Sequence, residues 1–464
     1  MMFERQRSAR TLVAGAFSLG LLVAACGGTS PSPAGTSTGE SAGATAAPAA
    51  TAASAATAAP AEPVTLTFLV NSGETNEAQA KALVDAFTAA NPNITIQTSL
   101  RPGGGDGDNL VKTKLATGEM EDLFHYNSGS LLQALTPDKT LTNVADQAWV
   151  SKLDPNFKTA VGTATGTYGA PWNTSMSGAV LYNKDIYAEL GLKVPTTWDE
   201  FIANSQKIKD SGKAAPIIQT YGDTWTSQMW VLADFYNVLA QNPDWAQQYT
   251  ENKVHYSETP AFNGFSNLEQ AAKSGLFNKD FASATYDDAI KMLATGTGAQ
   301  YPMLTFAVQN FIQGYPDAVD KIGVFPFPGS DAAHNGLTVW MPDGVYIPKT
   351  VEGAKLDAAK KFQAFLATKE ACDIIASKSG ASGPFVVDGC TLPANVPPIV
   401  SDQQTYFDQG KTGLALEFLS PIKGPALEQI AVSIGSGITS AVDGAAQYDQ
   451  DVKKQAQQLG LPGW

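Results

Sequence analysis

The chain has 464 residues, of which 44% are hydrophobic and 16% charged, and its formal net charge is −14. A chain of this length exceeds what one hydrophobic core usually supports, so we expect two lobes. An acidic chain lacks the clustered cations that phosphate backbones require, so we expect no nucleic-acid partner.

Residues 1–25 have the layout of an export signal. Arginines precede an apolar run from Leu12 to Ala25, which is too short to be a typical membrane-spanning helix. The residues Val23–Cys26 resemble a bacterial lipobox, which implies a lipid on the Cys26 sulfur and cleavage before it. We therefore expect residues 1–25 to be a lipoprotein signal peptide and Cys26 to anchor the chain to the outer face of the cytoplasmic membrane. A plain secretory signal with an incidental cysteine is the alternative.

Residues 26–63 form a segment of low complexity. After Cys26 almost every residue is alanine, threonine, serine, glycine or proline, and none is aromatic. Such a segment cannot bury enough apolar surface to offset the entropy of folding. We expect a disordered tether that holds the folded part, which begins at Val64, above the membrane.

The folded part begins with a β-α-β pattern. Apolar and polar residues alternate from Leu66 to Val70, as in a strand, and apolar residues recur at helical spacing from Ala80 to Phe87. A second strand is predicted at Ile94–Ile96. This order predicts two parallel strands joined by a crossover helix. The glycine-rich segment Gly103–Asn109 is then predicted to be a mobile loop.

The next two predicted strands lie before and after Trp172 in the sequence. Leu123-Phe124 is predicted to be a third buried strand that ends at His125. Gly169–Trp172 is predicted to be a loop in which the proline keeps the backbone extended and Trp172 is rigidly displayed. The apolar segment Gly178–Tyr182 is predicted to be a strand.

Two helices follow this strand. The first begins at Asn183–Asp185 and ends at Gly191, because glycine commonly follows the last helical residue. Thr197 is the predicted N-cap of the second helix, with Glu200 three residues later in capping-box register.

The second half of the chain continues this alternation. Lys213–Ile218 is predicted to be a helix end followed by a strand, Asp287–Leu293 a helix, and Ala299–Leu304 a strand. Ile322–Phe327 is predicted to cross between lobes. Ala354–Ser377 is predicted to be one long helix.

Several separated motifs together resemble one known family, the extracellular solute-binding proteins of ABC sugar importers, which include maltose-binding protein. The motifs occur in the matching order between Val64 and Trp464, although Glu121 stands where the family usually has proline. They are Leu115–Phe124, Gly169–Trp172, Leu181–Asp185, Gly191–Phe201, Val345–Lys349, Phe362–Glu370 and Leu459–Trp464.

The resemblance implies an α/β, two-lobed, periplasmic-binding-protein-like fold of type II. Each lobe would hold a mixed, mostly parallel sheet flanked by helices, and a hinged cleft would close when a ligand bridges its walls. The family's chain crosses between lobes more than once. We therefore expect lobe one at residues 64–172 plus 330–377, and lobe two at residues 180–322 plus 384–464.

Candidate ligand-binding residues follow from the chemistry of sugars, which present apolar C–H faces and rings of hydroxyls. Their sites combine aromatic rings with carboxylates and amides, at strand ends that face the cleft. Phe306 lies where family members carry an aromatic residue after a strand. For each aromatic the alternative is a place in the core, and for Glu74 it is a solvated helix start. The candidates are Glu74, Tyr126, Asn127, Trp172, Trp225, Phe306, Trp340 and Asp343.

Further features of the sequence indicate the charge of the ligand and whether the chain carries a metal site or catalytic residues. Arg101 is the only arginine after the leader, and sites for phosphates and carboxylates favour arginine, so we expect a neutral ligand. The alternative is an anionic ligand that is bound by Lys184 or Lys349. The three histidines show no metal-binding spacing and there is no G-x-S-x-G motif, so we expect no metal, cofactor or catalytic residue.

Cys372 and Cys390 are the only cysteines besides Cys26. Because the chain is expected to be exported and two cysteines remain, we expect a disulfide between Cys372 and Cys390. The alternative is two buried thiols.

These features predict a lipid-anchored, monomeric receptor that binds a neutral carbohydrate, most simply an oligosaccharide, and delivers it to an ABC permease without catalysis. Two alternatives remain open. One is a receptor of the same fold for a non-sugar solute, and the other is an exported carbohydrate-active enzyme with a carboxylate pair.

Overall fold

The computed structural model describes residues 62–378 and 380–464. The predicted signal peptide, Cys26 and all of the tether except residues 62 and 63 lie outside the described residues. Within these described residues, eleven strands form two sheets. The strands are β1 (Val64–Asn71), β2 (Ile94–Arg101), β3 (Leu123–Tyr126), β4 (Gly169–Pro171), β5 (Met176–Asn183), β6 (Ala215–Ile217), β7 (Gly298–Leu304), β8 (Ile322–Pro326), β9 (Leu337–Trp340), β10 (Gly344–Tyr346) and β11 (Thr412–Leu414).

Helices connect and cover these strands, and none of them within the described residues is long and apolar enough to cross a membrane. They are α1 (Glu74–Ala90), α2 (Gly104–Thr117), α3 (Ser130–Gln133), α4 (Pro137–Thr140), α5 (Pro155–Ala160), α6 (Lys184–Glu189), α7 (Trp198–Ser211), α8 (Met229–Leu232), α9 (Phe235–Gln241), α10 (Trp245–Thr250), α11 (Asn263–Lys273), α12 (Tyr286–Thr295), α13 (Val308–Gly314), α14 (Gly353–Leu366), α15 (Lys369–Lys378), α16 (Pro398–Asp408), α17 (Leu416–Leu419), α18 (Leu427–Gly435) and α19 (Ala441–Gln458). Short 3-10 turns lie at Ala148–Lys152, Thr224–Gln228, Thr305–Ala307, Val319–Lys321 and Ala332–His334.

The first sheet has the strand order β2-β1-β3-β10-β4. β1 runs parallel to β2 and β3, which confirms the predicted β-α-β start, whereas β10 runs antiparallel to β3 and β4. Phe68 of β1 and Phe87 of α1 both contact Phe362 of α14 within the core, with ring centroids 5.7 and 5.1 Å apart. We call this sheet and its core the first lobe.

The second sheet has the order β11-β9-β5-β7-β6, with β8 also paired to β5. β5 runs antiparallel to β7, β8 and β9, so parallel pairing does not predominate around it. Its alternate residues enter different cores: Val180 packs in one, and Ala179 and Leu181 pack in the other. This double burial explains the uninterrupted apolar run in the sequence. We call this sheet and its two cores the second lobe.

The predicted helix boundaries after β5 agree with the structure. The Asn183 side chain caps α6 by accepting a hydrogen bond from the Ile186 amide at 3.1 Å. Gly191 has a φ of 61°, which L-residues with a side chain rarely adopt. The Thr197 hydroxyl caps α7, although the Glu200 carboxylate accepts its hydrogen bonds from Thr196 rather than closing the box on Thr197.

The glycine-rich segment Gly103–Asn109 is not a loop, because α2 begins at Gly104. A Cβ on Gly107 would lie 2.0 Å from the Pro102 carbonyl oxygen, so this glycine permits the helix to pack against the preceding strand end. Asp106 lies in the first helical turn, where a negative charge is favourable.

The predicted long helix Ala354–Ser377 is instead two helices, α14 and α15, separated at Ala367 and Thr368. The Thr368 hydroxyl accepts a hydrogen bond from the Ala371 amide at 3.3 Å and so starts a new helix. The predicted apolar face is correct, since Phe362 and Leu366 are buried.

The chain changes lobes at different places from those predicted. β9 pairs with β5 and β11 in the second sheet, although residues 330–377 were expected in lobe one. Val386 and Val387 pack in the core of the first lobe, although residues 384–464 were expected in lobe two. The Asp154 amide donates a hydrogen bond to the Val386 carbonyl at 2.9 Å, which holds this segment on the first lobe.

Cys372 of α15 and Cys390 form the predicted disulfide, with their Cα atoms 6.0 Å apart. The bond ties the segment that contains Val386 and Val387 to α15.

Loss of this disulfide should lower the free energy of unfolding by about 3 kcal/mol, because the bond restricts the unfolded chain. Guanidinium unfolding of the protein with and without reductant would measure the difference. The Cys372→Ser/Cys390→Ser variant serves as control, since reductant should not change its midpoint. Two titratable thiols in the unfolded, unreduced protein would contradict the pairing.

Candidate functional site

A cavity of about 1110 Å³ lies between the two lobes. On the first lobe, its wall is formed where β1, β2 and β3 end, which is the usual ligand position in open α/β sheets. On the second lobe, its wall is formed by the turn at Thr224–Gln228, the start of α12 and the segment after β7. The lobes touch at the rim, where the Thr75 hydroxyl donates a hydrogen bond to Gln313 Oε1 at 3.2 Å.

Seven of the eight predicted residues line this cavity. They are Glu74, Asn127, Trp172, Trp225, Phe306, Trp340 and Asp343. Glu74 is an exposed residue at the start of α1, and Asn127 is partly buried after β3. The Trp340 ring is buried at the end of β9, where it packs directly over Gly178.

Tyr126 does not line the cavity, so its prediction as a ligand contact is wrong. β3 extends through Tyr126, and the residue is 0% exposed within the core of the first lobe. The guanidinium carbon of Arg101 lies 5.3 Å from its ring centroid. Burial raises the pKa of Tyr126 well above its ordinary value, which is consistent with a neutral core phenol.

Trp172 is a wall residue rather than a displayed ring. It follows β4, which pairs with β10, so the predicted loop at Gly169–Trp172 is largely a strand. Its side chain is only 3% exposed and packs edge-on against Phe68, with ring centroids 5.5 Å apart. Its carbonyl accepts a hydrogen bond from Gln79 Nε2 at 2.6 Å. The position is therefore fixed by core packing.

Three aromatic rings form the second-lobe side of the cavity, and we call them the aromatic wall: Trp225, Tyr286 and Phe306. Their ring centroids lie 5.5 to 6.1 Å apart, and each side chain is partly buried. The Tyr286 hydroxyl donates a hydrogen bond to Asn310 Oδ1 at 2.9 Å. Sequence reasoning missed Tyr286, although it directly follows Thr285, whose N-cap signal marks the start of α12.

The first-lobe side carries charged groups that sequence reasoning did not assign to the site. Arg101 is buried at the end of β2 and donates a hydrogen bond from Nη2 to the His125 carbonyl at 3.3 Å. Burial lowers the pKa of Arg101, against the opposing effect of the Asp343 and Asp108 carboxylates. Burial raises the pKa of Asp108, which Arg101 and Lys112 oppose. The lone arginine of the folded part thus stands at the cavity.

Glu417 and Lys423 add a further pair from the segment around α17. Their charged atoms lie 3.7 Å apart, and both side chains are largely buried. Burial raises the pKa of Glu417, and Lys423 opposes this rise. Overall, the cavity lining carries seven carboxylates against three cations, Arg101, Lys112 and Lys423. The carboxylates are Glu74, Asp106, Asp108, Asp287, Asp343, Glu417 and Glu428.

His125 and Asp343 form a close pair at the junction of the two walls. His125 Nε2 lies 2.8 Å from Asp343 Oδ2, and the histidine ring packs against Trp172 with centroids 5.1 Å apart. Among residues 62–378 and 380–464, no cluster of three or more histidine, cysteine, aspartate or glutamate side chains is placed to hold a metal ion.

A family model described as bacterial extracellular solute-binding protein matches residues 71–371 of this chain. The multiple sugar-binding protein of Streptococcus mutans serotype c is 25% identical over 341 residues, which cover 72% of this chain and 78% of that protein. The melibiose/raffinose/stachyose-binding protein MelE of Bacillus subtilis is 25% identical over 316 residues, covering 65% of this chain and 70% of that protein.

Solved structures share the fold at low sequence identity. A chitin oligosaccharide binding protein superposes with a TM-score of 0.74 at 18% identity, covering 85% of this chain and 99% of the other. The solute-binding protein RafE in complex with raffinose gives a TM-score of 0.69 at 17% identity, with the same two coverages. The two-lobed type II fold predicted from the sequence is thereby confirmed.

Proposed function

Because this chain belongs to the bacterial extracellular solute-binding protein family, we propose that it captures a neutral oligosaccharide between its lobes and delivers it to an ABC permease. The observation that carries this proposal is a cavity between the lobes that has an aromatic wall on the second lobe and carboxylates on both lobes. Aromatic rings suit the apolar C–H faces of a sugar, and carboxylates accept hydrogen bonds from its hydroxyls.

The size of the cavity supports an oligosaccharide rather than a single sugar. Its volume of about 1110 Å³ exceeds the range of roughly 300–1,000 Å³ in which pockets for small organic molecules usually fall. The relatives named for multiple sugars and for melibiose, raffinose and stachyose support the same ligand class.

The charge of the cavity supports a ligand that is not an anion. Seven carboxylates outnumber the three cations of the lining, so a phosphate or carboxylate ligand would meet net repulsion. Lys184 and Lys349, which left an anionic ligand open in the sequence, do not line the cavity.

We further propose that the protein works as a monomer at the outer face of the cytoplasmic membrane, held there by a lipid on Cys26. The lipobox-like residues Val23–Cys26 and the low-complexity composition of residues 26–63 support this anchoring. Binding and release of the sugar require no covalent step, so we assign no catalytic residue and no cofactor.

Isothermal titration calorimetry with raffinose, stachyose and chitotriose tests the proposed function. We expect saturable binding of at least one of them, and chromatography should recover the sugar intact after prolonged incubation. Binding only of anionic solutes, or release of smaller sugars, would contradict the receptor proposal in favour of one of its two alternatives.

Trp225→Ala should weaken binding of the sugar at least tenfold, or by about 1.4 kcal/mol, because it removes the largest ring of the aromatic wall. Calorimetry on the variant measures the change in Kd. Trp225→Phe is the matched control, since a smaller ring keeps part of the stacking surface and should lose less affinity. An unchanged Kd in the alanine variant would remove Trp225 from the site.

A further inference from the structure

Asp343 presents a carboxylate to the cavity from an irregular connection. Residues 341–343 join β9 of the second sheet to β10 of the first, and the Asp343 side chain is 28% exposed. Within the described residues, the only hydrogen-bond partner of this carboxylate is His125 Nε2. Its orientation toward the cavity therefore depends on one contact.

His125 is held far more firmly than Asp343. It lies inside β3, where it is opposite Val345 of β10, and its side chain is 2% exposed. Its ring packs against Trp172 at an interplanar angle of 31°, and its carbonyl accepts the hydrogen bond from Arg101. Strand pairing and the hydrogen bond from Arg101 hold the backbone of His125, and packing against Trp172 holds its ring.

The chemistry of the imidazole decides which atom donates. His125 Nδ1 is buried and has no hydrogen-bond partner among residues 62–378 and 380–464, whereas Nε2 faces Asp343 Oδ2 at 2.8 Å. Burial lowers the pKa of His125, against the opposing effect of Asp343, so the ring is neutral and carries one proton. Because Nε2 is the ring nitrogen that faces a carboxylate oxygen, we place that proton on Nε2, which donates it in the hydrogen bond to Asp343 Oδ2.

This arrangement leaves Asp343 with unused hydrogen-bonding capacity. A carboxylate has about four lone-pair positions on its two oxygens, and His125 occupies one of them. Oδ1 and the second lone pair of Oδ2 remain for hydrogen bonds from the cavity side.

We propose that His125 is a positioning residue that fixes the Asp343 carboxylate so that it accepts hydrogen bonds from two adjacent hydroxyls of one sugar ring. The proposal rests on the proposed function, and it specifies the ligand further as a sugar whose bound ring carries a free vicinal diol. His125 itself acts through Asp343 and makes no contact with the sugar that the proposal requires.

A double-mutant cycle tests this role, with whichever of raffinose, stachyose and chitotriose the wild-type protein binds most tightly. His125→Leu should raise Kd about tenfold in the native background and less than twofold in the Asp343→Ala background. His125→Gln, which restores an N–H donor, should stay within about threefold of the wild-type Kd. Thermal unfolding of each unliganded variant checks that it is folded.

The outcomes separate the two proposals. If the wild-type protein binds none of the three sugars, the proposed function fails and this role fails with it. Two results would overturn only the positioning role when the wild-type protein binds a sugar. One is that His125→Leu raises Kd by the same factor in both backgrounds, and the other is that Asp343→Ala leaves Kd unchanged. If Asp343→Ala abolishes measurable binding, the comparison of His125→Leu with His125→Gln decides, and equal losses refute the role.

Discussion

Trp172→Ala is expected to lower the free energy of unfolding by about 3–5 kcal/mol, which is typical for truncation of a buried tryptophan. The side chain is 3% exposed and packs between Phe68 of β1 and His125 of β3, so its removal leaves a cavity in the first lobe. The sequence alone predicted a displayed ring that contacts the ligand, so that its loss would mainly weaken sugar binding. The structure predicts that stability is the larger effect.

Guanidinium unfolding, followed by circular dichroism, measures this loss. Trp225→Ala is the matched truncation, and it should cost clearly less stability because the Trp225 side chain is only partly buried at the cavity. Trp172→Phe should recover part of the loss by refilling the space beside Phe68. A stability loss below about 1 kcal/mol for Trp172→Ala, together with a large loss of sugar affinity, would restore the displayed-ring interpretation.

Trp172 also shows what local sequence signals miss. Pro171 correctly indicated an extended backbone, but the pairing of β4 with β10 joins residues more than 170 positions apart. Tyr126 was misplaced for a related reason, because β3 continues two residues beyond its most apolar part. Such pairings depend on the whole fold and leave no mark in a short window.

Features governed by neighbouring residues were predicted well. The helix start at Asn183–Asp185, the cap at Thr197 and the helix end at Gly191 depend on residues within a few positions. The predicted loop at Gly103–Asn109 failed because its glycines permit close packing of α2 rather than mobility. Glycine alone does not distinguish these two uses.

The candidate site was partly predictable. Residues that follow strands, such as Asn127 and Trp225, line the cavity as their positions suggested. Arg101 and Glu417 were not predicted, because they come from a strand end and a short helix that only the tertiary fold brings to the same cavity. Motif resemblance identifies the family and the cleft, whereas individual cleft contacts require the positions of side chains.

Asp234→Asn is expected to raise the free energy of unfolding at pH 8 by about 4 kcal/mol. Asp234 is 2% exposed between α8 and α9, and its carboxylate accepts a hydrogen bond from Asn237 Nδ2 at 2.7 Å. Burial raises the pKa of Asp234 to about 7 from its ordinary 3.8, against the opposing effect of Asn237. A pKa difference of one between the folded and unfolded states corresponds to about 1.4 kcal/mol, and here the two pKa values differ by about three.

The direction of the pH effect follows from where the proton is bound. Between about pH 4 and pH 7 the unfolded chain has lost the Asp234 proton while the folded protein keeps it, so stability falls as pH rises. Above pH 7 the Asp234 carboxylate is ionised while it is buried, so the full loss of stability is reached. An asparagine keeps the hydrogen bond from Asn237 but carries no buried charge. The free energy of unfolding of the variant should therefore exceed that of the wild-type protein by the largest margin at high pH.

Guanidinium unfolding of both proteins at pH 5 and pH 8 measures this effect. The stability advantage of Asp234→Asn should grow by about 3 kcal/mol between these values. The stability of the wild-type protein falls between about pH 4 and pH 7, and most of that range lies between pH 5 and pH 8. Asp317→Asn, at an exposed position on the same lobe, is the control and should show no such growth. An advantage that is equal at both pH values would mean that Asp234 is ionised in the folded protein throughout, which would contradict its burial as an uncharged acid.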